Sequence, residues 1–198
     1  MSLWNLENEL YDSGFSVICG VDEAGRGPLA GPVCAAAVIL PEGAVIEGLN
    51  DSKKLSEKKR EALFDVVKQT AIAWSVAFAS VEEIEEHNIL NATFIAMNRA
   101  IDGLNVKADF ALIDGNRIPK DIKIPCQTVV KGDSLSMSIA AASILAKVTR
   151  DRLMLELDEK YPQYEFKKHK GYGTALHMDL IRKYGPSDCH RPSFLKKL

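Results

Sequence analysis

An apolar run from Val17 to Val21 closes on two adjacent carboxylates, Asp22 and Glu23, and Ala24-Gly25-Arg26-Gly27 follows at once. The run has the make-up of a buried strand. A chain that buries such a strand must also settle two acids at its end. An unpaired buried carboxylate is costly, whereas one that ligates a cation is not. Gly25 and Gly27 let the backbone approach a ligand closely, and Arg26 between them can fork onto a phosphate. An Asp-Glu pair alone after a strand reads as a solvated turn. Joined to Gly-Arg-Gly, it points to metal-dependent chemistry on a phosphodiester.

A chain of 198 residues can bury one sizeable core, so a single domain over residues 1–198 is expected. The formal net charge of -2 leaves no basic footprint over the whole chain, and any nucleic-acid contact must come from a local basic patch. Cys19, Cys34, Cys126 and Cys189 form no zinc-type spacing with the histidines, and three of them lie in strand-like runs. Reduced core cysteines and a cytoplasmic location are expected. No signal peptide and no apolar run of transmembrane length are seen.

Hydrophobic periodicity predicts a short helix over 3–12, strands over 16–22 and 32–40, and a helix over 57–70 capped by Ser56. The piece between the first two strands is too short for a helical crossover, so they should pair antiparallel. A strand over 71–79 follows, then a helix to about 102 opened by a Ser80/Glu83 capping box. Strands over 108–114 and 123–130 come next, then an Ala- and Leu-rich helix from Ser134 to about 160, stopped by Pro162, and a last helix over 174–184. This order predicts an α/β fold with a central mixed β-sheet flanked by helices.

Two further acids end predicted strands: Asp114 before Gly115, and Asp133 in Lys131-Gly132-Asp133-Ser134. Taken alone, Asp114 reads as a turn former and Asp133 as a helix N-cap. With Asp22 and Glu23 the pattern repeats, and one sheet edge could gather all four. Clustered carboxylates repel one another, and hard divalent cations relieve that repulsion. Oxygen-only ligands select magnesium or manganese over zinc.

The basic residues group locally. Ser52 and Lys53 precede a helix and could hold phosphates through side chains and backbone amides. Lys167-Lys168-His169-Lys170-Gly171-Tyr172-Gly173 is a basic loop, and its glycines favour a Tyr172 ring presented for stacking, although such lysines usually form a solvated face. His190-Arg191 adds positive charge near the C-terminus, and Asp151 reads as a helix-surface acid rather than a fifth ligand.

These blocks resemble ribonuclease HII, the bacterial type 2 ribonuclease H, from Val21 to Phe194. The resemblance runs through Asp22–Gly27, Asp51-Ser52-Lys53-Lys54-Leu55, Asn88-Ile89-Leu90-Asn91-Ala92, Ile113-Asp114-Gly115 and Lys131–Ser134. It continues through Ala141-Ala142-Ser143-Ile144-Leu145-Ala146-Lys147, Lys170–Thr174 and Gly185-Pro186 to Phe194. The sister type, ribonuclease HIII, lacks the arginine of the glycine block, which is Arg26 here. One departure is Glu85, where the family more often has Asp; it lies on a predicted helix away from the site.

The resemblance implies a ribonuclease H-like fold with a small C-terminal helical extension over about 160–198. It implies Asp22, Glu23, Asp114 and Asp133 as catalytic, metal-binding acids for two Mg2+ or Mn2+ ions. It implies Gly25, Arg26, Gly27 and Tyr172 as readers of the 2′-hydroxyl at an RNA–DNA junction, on hybrids or on duplex DNA containing ribonucleotides. A monomer without membrane association is expected. The alternatives are a structure-specific DNA endonuclease of the same fold, a non-catalytic hybrid-binding module, and an α/β domain with a structural calcium site.

Overall fold

A computed structural model describes residues 3–49 and 55–196. Among the described residues the five strands are β1 (Ile18–Ala24), β2 (Val33–Ile39), β3 (Ala73–Ala79), β4 (Phe110–Asp114) and β5 (Cys126–Val129). They form one mixed sheet in the order β3-β2-β1-β4-β5. β1 pairs antiparallel with β2, and β2 with β3, while β1–β4 and β4–β5 are parallel. The expected α/β fold, including the antiparallel β1–β2 pair, is therefore observed.

The helices are α1 (Asn5–Asp12), α2 (Glu57–Thr70), α3 (Val81–Asp102), α4 (Met137–Lys160), α5 (Phe166–His169) and α6 (Ala175–Tyr184). β2 is buried along its whole length, which explains its unbroken apolar sequence. Its even positions, Cys34, Ala36 and Val38, pack with α2 and α4 residues such as Phe64, Ala141 and Leu145. Its odd positions, Val33, Ala35 and Ala37, pack with α3 residues such as Ala96 and Met97.

α4 can lie against β1 because Gly20 has no side chain: a Cβ there would fall 2.1 Å from the Ser138 carbonyl carbon. Glu7 of α1 locks the start of α4. Its Oε1 accepts from the Ser136 hydroxyl at 2.6 Å, the Ser138 hydroxyl at 2.7 Å and the Ser138 amide at 3.0 Å. A carboxylate at a helix N-terminus also meets the positive end of the helix dipole.

Several local expectations change. The α4 cap is Ser136, whose hydroxyl accepts from the Ile139 amide, and Asp133 sits earlier in a single 3-10 turn over Gly132–Ser134. The helix opened by the Ser80/Glu83 box is broken at Asn88, whose φ is 64°. Asn tolerates this conformation, and its Oδ1 accepts from the Leu90 and Asn91 amides, restarting the helix. Asp151 is not a surface acid: it is buried and takes a 2.7 Å hydrogen bond from Lys147 Nζ.

The C-terminal segment packs on α4 and the loop after β1. Tyr164, Phe166, Ile181 and Cys189 form one apolar cluster with Met154 and Ala30. Its return is tied by an Ala30–His190 bridge and by Glu85, which accepts from both the amide and the hydroxyl of Ser193. The departure at Glu85 thus anchors the tail. His190 and Arg191 are fully buried, which overturns the expectation that they add a surface charge.

Candidate active site

The C-terminal ends of the parallel strands β1 and β4 lie side by side, with Val21 opposite Ile113. The acids one step further, Asp22 and Asp114, therefore emerge together. Strand alternation sends Asp22 toward α4 and Glu23 toward α3. Carboxylate oxygens of Asp22, Glu23 and Asp114 all lie within 4.8 Å of one another. Asp133 is buried in the turn after β5, but its carboxylate is outside that group of three. The turn still reaches the cluster, since the Gly132 amide donates to Asp114 Oδ1 at 2.7 Å.

Asp22 is 5% exposed, and burial pushes its pKa well above the ordinary carboxylate value, with the charges of Glu23 and Asp114 adding to the rise. The Glu23 amide, 2.7 Å from Asp22 Oδ1, and the Ser143 hydroxyl oppose that rise. Arg26 reaches Glu23 at 3.5 Å from a half-exposed position. Three acids whose oxygens crowd within 4.8 Å of one another are the donor set a hard divalent cation fits.

Two hollows meet at the acids. One, of about 220 Å³, is lined by Asp22, Glu23, Gly25, Arg26, Gly27, Ser143, Lys147 and Tyr172. The other, of about 210 Å³, runs from Glu23, Arg26 and Asp114 past Thr93 and Met97 to Asn116 and Arg117. Ser143, Lys147, Asn116 and Arg117 received no role from sequence reading. Ser143 and Lys147 stand i, i+4 on α4, and Asn116-Arg117 directly follow Asp114-Gly115, so helical spacing and chain proximity carried a weak signal. Ser52 and Lys53 lie outside the described residues.

Tyr172 is 42% exposed, with Lys147 Nζ at 5.8 Å and the Arg150 guanidinium at 5.9 Å from its ring centroid. Its loop is held by buried histidines. His177 Nδ1 lies 3.0 Å from the Tyr172 carbonyl and must donate to it. A neutral His177 then accepts at Nε2, so His190 Nε2 donates across the 3.1 Å contact. His190 Nδ1 in turn accepts from the Ser187 amide at 3.0 Å. Burial lowers the pKa of both His177 and His190 to about 4, as this neutral chain requires. His169, also buried and with a lowered pKa, lies with Nε2 2.9 Å from the Tyr164 carbonyl and with Nδ1 accepting from the Gly171 amide.

The fold and the ends of β1 and β4 define an enzyme of the ribonuclease H class, a hydrolase. Within that class, residues 19–197 match the family model described as Ribonuclease HII, and the chain belongs to this family. A Ribonuclease HII of Caldicellulosiruptor bescii is 52% identical over 195 residues, spanning 98% of this chain and 94% of that one. Ribonuclease H2 from Pyrococcus horikoshii OT3 superposes with a TM-score of 0.76 at 28% identity, over 90% of this chain and 93% of the other. The Archaeoglobus fulgidus enzyme, solved as a PCNA:RNase HII complex, gives 0.78 at 26% identity, over 92% and 96%. Among the described residues, no helix is long and apolar enough to cross a membrane.

Proposed function

We propose that the enzyme hydrolyses the ribonucleotide strand of RNA–DNA hybrids and cuts duplex DNA on the 5′ side of a single embedded ribonucleotide. The products are a 3′-hydroxyl and a 5′-phosphate. The observation that carries this reading is the shared hollow: the acids Asp22 and Glu23 line it together with the Gly25–Gly27 backbone and the exposed Tyr172 ring.

Asp22, Glu23 and Asp114 would hold magnesium or manganese, two ions during turnover, with Asp133 as the fourth acid. When bound, such ions activate a water and stabilise the leaving 3′ oxygen. The protein's part is orientation. The Glu23 amide and Ser143 fix the Asp22 carboxylate, and the Gly132 amide fixes that of Asp114. Glycine-loop amides bond the 2′-hydroxyl, Arg26 meets phosphate, and Tyr172 packs on the adjacent deoxyribose. A substrate lacking the hydroxyl leaves those polar groups unpaired, an effective form of rejection. Ser52 and Lys53 bind phosphates along the duplex. The chain works as a monomeric, single catalytic domain in the cytoplasm, in ribonucleotide excision and in replication.

The test is cleavage of a DNA duplex carrying one ribonucleotide, with magnesium or manganese, beside an all-DNA duplex and Asp133→Asn. One cut 5′ to the ribonucleotide, absent from both controls, is expected. Equal cutting of the all-DNA duplex would favour a structure-specific DNA endonuclease. Binding without any product would favour a non-catalytic hybrid-binding module.

A further inference from the structure

Arg191 is 0% exposed, and no carboxylate pairs with it among the described residues. A buried guanidinium must still satisfy its donors. It spends them on one loop: Nε and Nη2 donate to the Gly31 carbonyl at 2.8 and 2.6 Å. Nη2 also donates to the Gly25 carbonyl at 2.7 Å, and Nη1 to the Arg26 carbonyl at 3.0 Å.

The two bonds to Gly25 and Arg26 have a geometric result. In a trans peptide the carbonyl of one residue and the amide of the next point in opposite directions. All peptide bonds among the described residues are trans. Pinning the Gly25 and Arg26 carbonyls onto Arg191 therefore turns the Arg26 and Gly27 amides away from it. Neither amide has a hydrogen-bond partner among the described residues. Both residues line the hollow shared with Asp22, Glu23 and Tyr172.

The backbone around Arg191 is itself tied to the same loop. The Arg191 amide donates to the Leu29 carbonyl, and the Gly31 amide to the Cys189 carbonyl. The Leu29 amide donates to the Gly171 carbonyl, which joins the loop to the one bearing Tyr172.

We propose that Arg191 is a positioning residue for sugar recognition: by holding the Gly25 and Arg26 carbonyls, it aims the Arg26 and Gly27 amides at the 2′-hydroxyl. The inference rests on the reading that this hollow receives a ribonucleotide. The Arg191 guanidinium bonds backbone carbonyls and none of the four acids among the described residues. Its loss acts on the discrimination between ribose and deoxyribose. A lysine at the same place keeps the charge but can hold only part of this fork, since it lacks the planar pair of donors.

The experiment compares the wild type, Arg191→Lys and Arg191→Met. It measures affinity for a single-ribonucleotide duplex and for the matching all-DNA duplex, without divalent metal to prevent cleavage, together with the melting temperature of each protein. The expected result is a ribonucleotide preference in the wild type that falls at least tenfold in Arg191→Lys, with all-DNA affinity within twofold of wild type. In magnesium, single-turnover cleavage of the ribonucleotide duplex should fall in step. If Arg191→Met does not fold, Arg191→Lys alone decides. A folded Arg191→Lys that keeps the preference overturns the inference. So does a parallel loss of both affinities, which marks Arg191 as purely structural. Absence of any preference in the wild type instead overturns the sugar-recognition reading beneath it.

Discussion

The Gly132 amide donates to Asp114 Oδ1 at 2.7 Å, so the turn that carries Asp133 also orients the acid at the end of β4. That single bond couples the two strand ends. It also leaves Asp133 one residue beyond an anchored point, on a short turn against the cluster.

Removing the Asp22 charge should separate chemistry from stability. If Asp22 holds metal as proposed, Asp22→Asn deletes a ligand oxygen and is expected to lower cleavage by at least ~100-fold, since even outer partners of metal ligands cost 10- to 100-fold. In metal-free protein the same change should raise the melting temperature, because it ends a buried like-charge clash. Asp22's folded pKa is raised, so the folded state holds its proton longer than the unfolded one. Wild-type stability is thus lost as pH rises from the ordinary value of 3.8 through the raised one. The melting difference should therefore widen with pH and shrink on adding magnesium. A pH-independent difference would remove the clash as its cause.

The histidines predict the opposite sign at acid pH. His177 and His190 have folded pKa values of about 4 against 6.5 for the free group. The unfolded chain takes up protons first, so stability falls as pH drops from 6.5 toward 4. The slope should approach about 1.4 kcal/mol per pH unit for each histidine. Thermal melts of wild type and His190→Gln across that window check this, with a shallower slope expected in the variant.

Gly25 and Gly27 should respond differently to alanine. At Gly25, φ is +96° and an added Cβ would lie 1.9 Å from Arg150 Nε, so Gly25→Ala should cost both stability and activity. At Gly27 the nearest atom to an added Cβ is the Tyr172 ring at 4.0 Å. Gly27→Ala should melt within a degree or two of wild type yet cleave roughly tenfold slower, if a sugar approaches there as closely as proposed. Unchanged cleavage would move the substrate away from Gly27.

Tyr172→Ala tests the ring. An exposed side chain contributes little to stability, within about 0.5 kcal/mol. A base or sugar stacked on it is worth about 1–3 kcal/mol, or roughly 5- to 150-fold in binding. Cleavage at a ribonucleotide junction should therefore drop within that range while the melting temperature holds. A matching collapse of melting temperature would make the ring a structural one.

Much of this architecture was readable because it depends on local pattern. Continuous apolar runs that end in acids exposed β1, β4 and the positions of Asp22, Glu23 and Asp114. The Ser80/Glu83 capping box and the Ser56 cap appear where their short-range chemistry requires. What escaped depends on non-local partners. Arg191 looks like surface charge until the Gly25, Arg26 and Gly31 carbonyls, at least 160 residues away, are seen to surround it. Asp151 looks exposed, yet it is buried and takes a hydrogen bond from Lys147 one turn back on α4. Asn88 breaks α3 through its own side chain, a signal present in the sequence but masked by strong flanking helix formers. Ser143 was part of a recognised block, yet only packing of α4 onto β1 brings it to Asp22.

The reach of Arg191 back to the glycine loop also orders events in time. A ribosome makes all the acids and all five strands well before it makes His190 and Arg191. The acid-bearing end of the sheet can therefore be assembled on a growing chain while the glycine-loop carbonyls still lack their guanidinium. On the proposed reading, such a chain would have the means to cleave before the tail docks, but not yet the fixed amides that choose what to cleave.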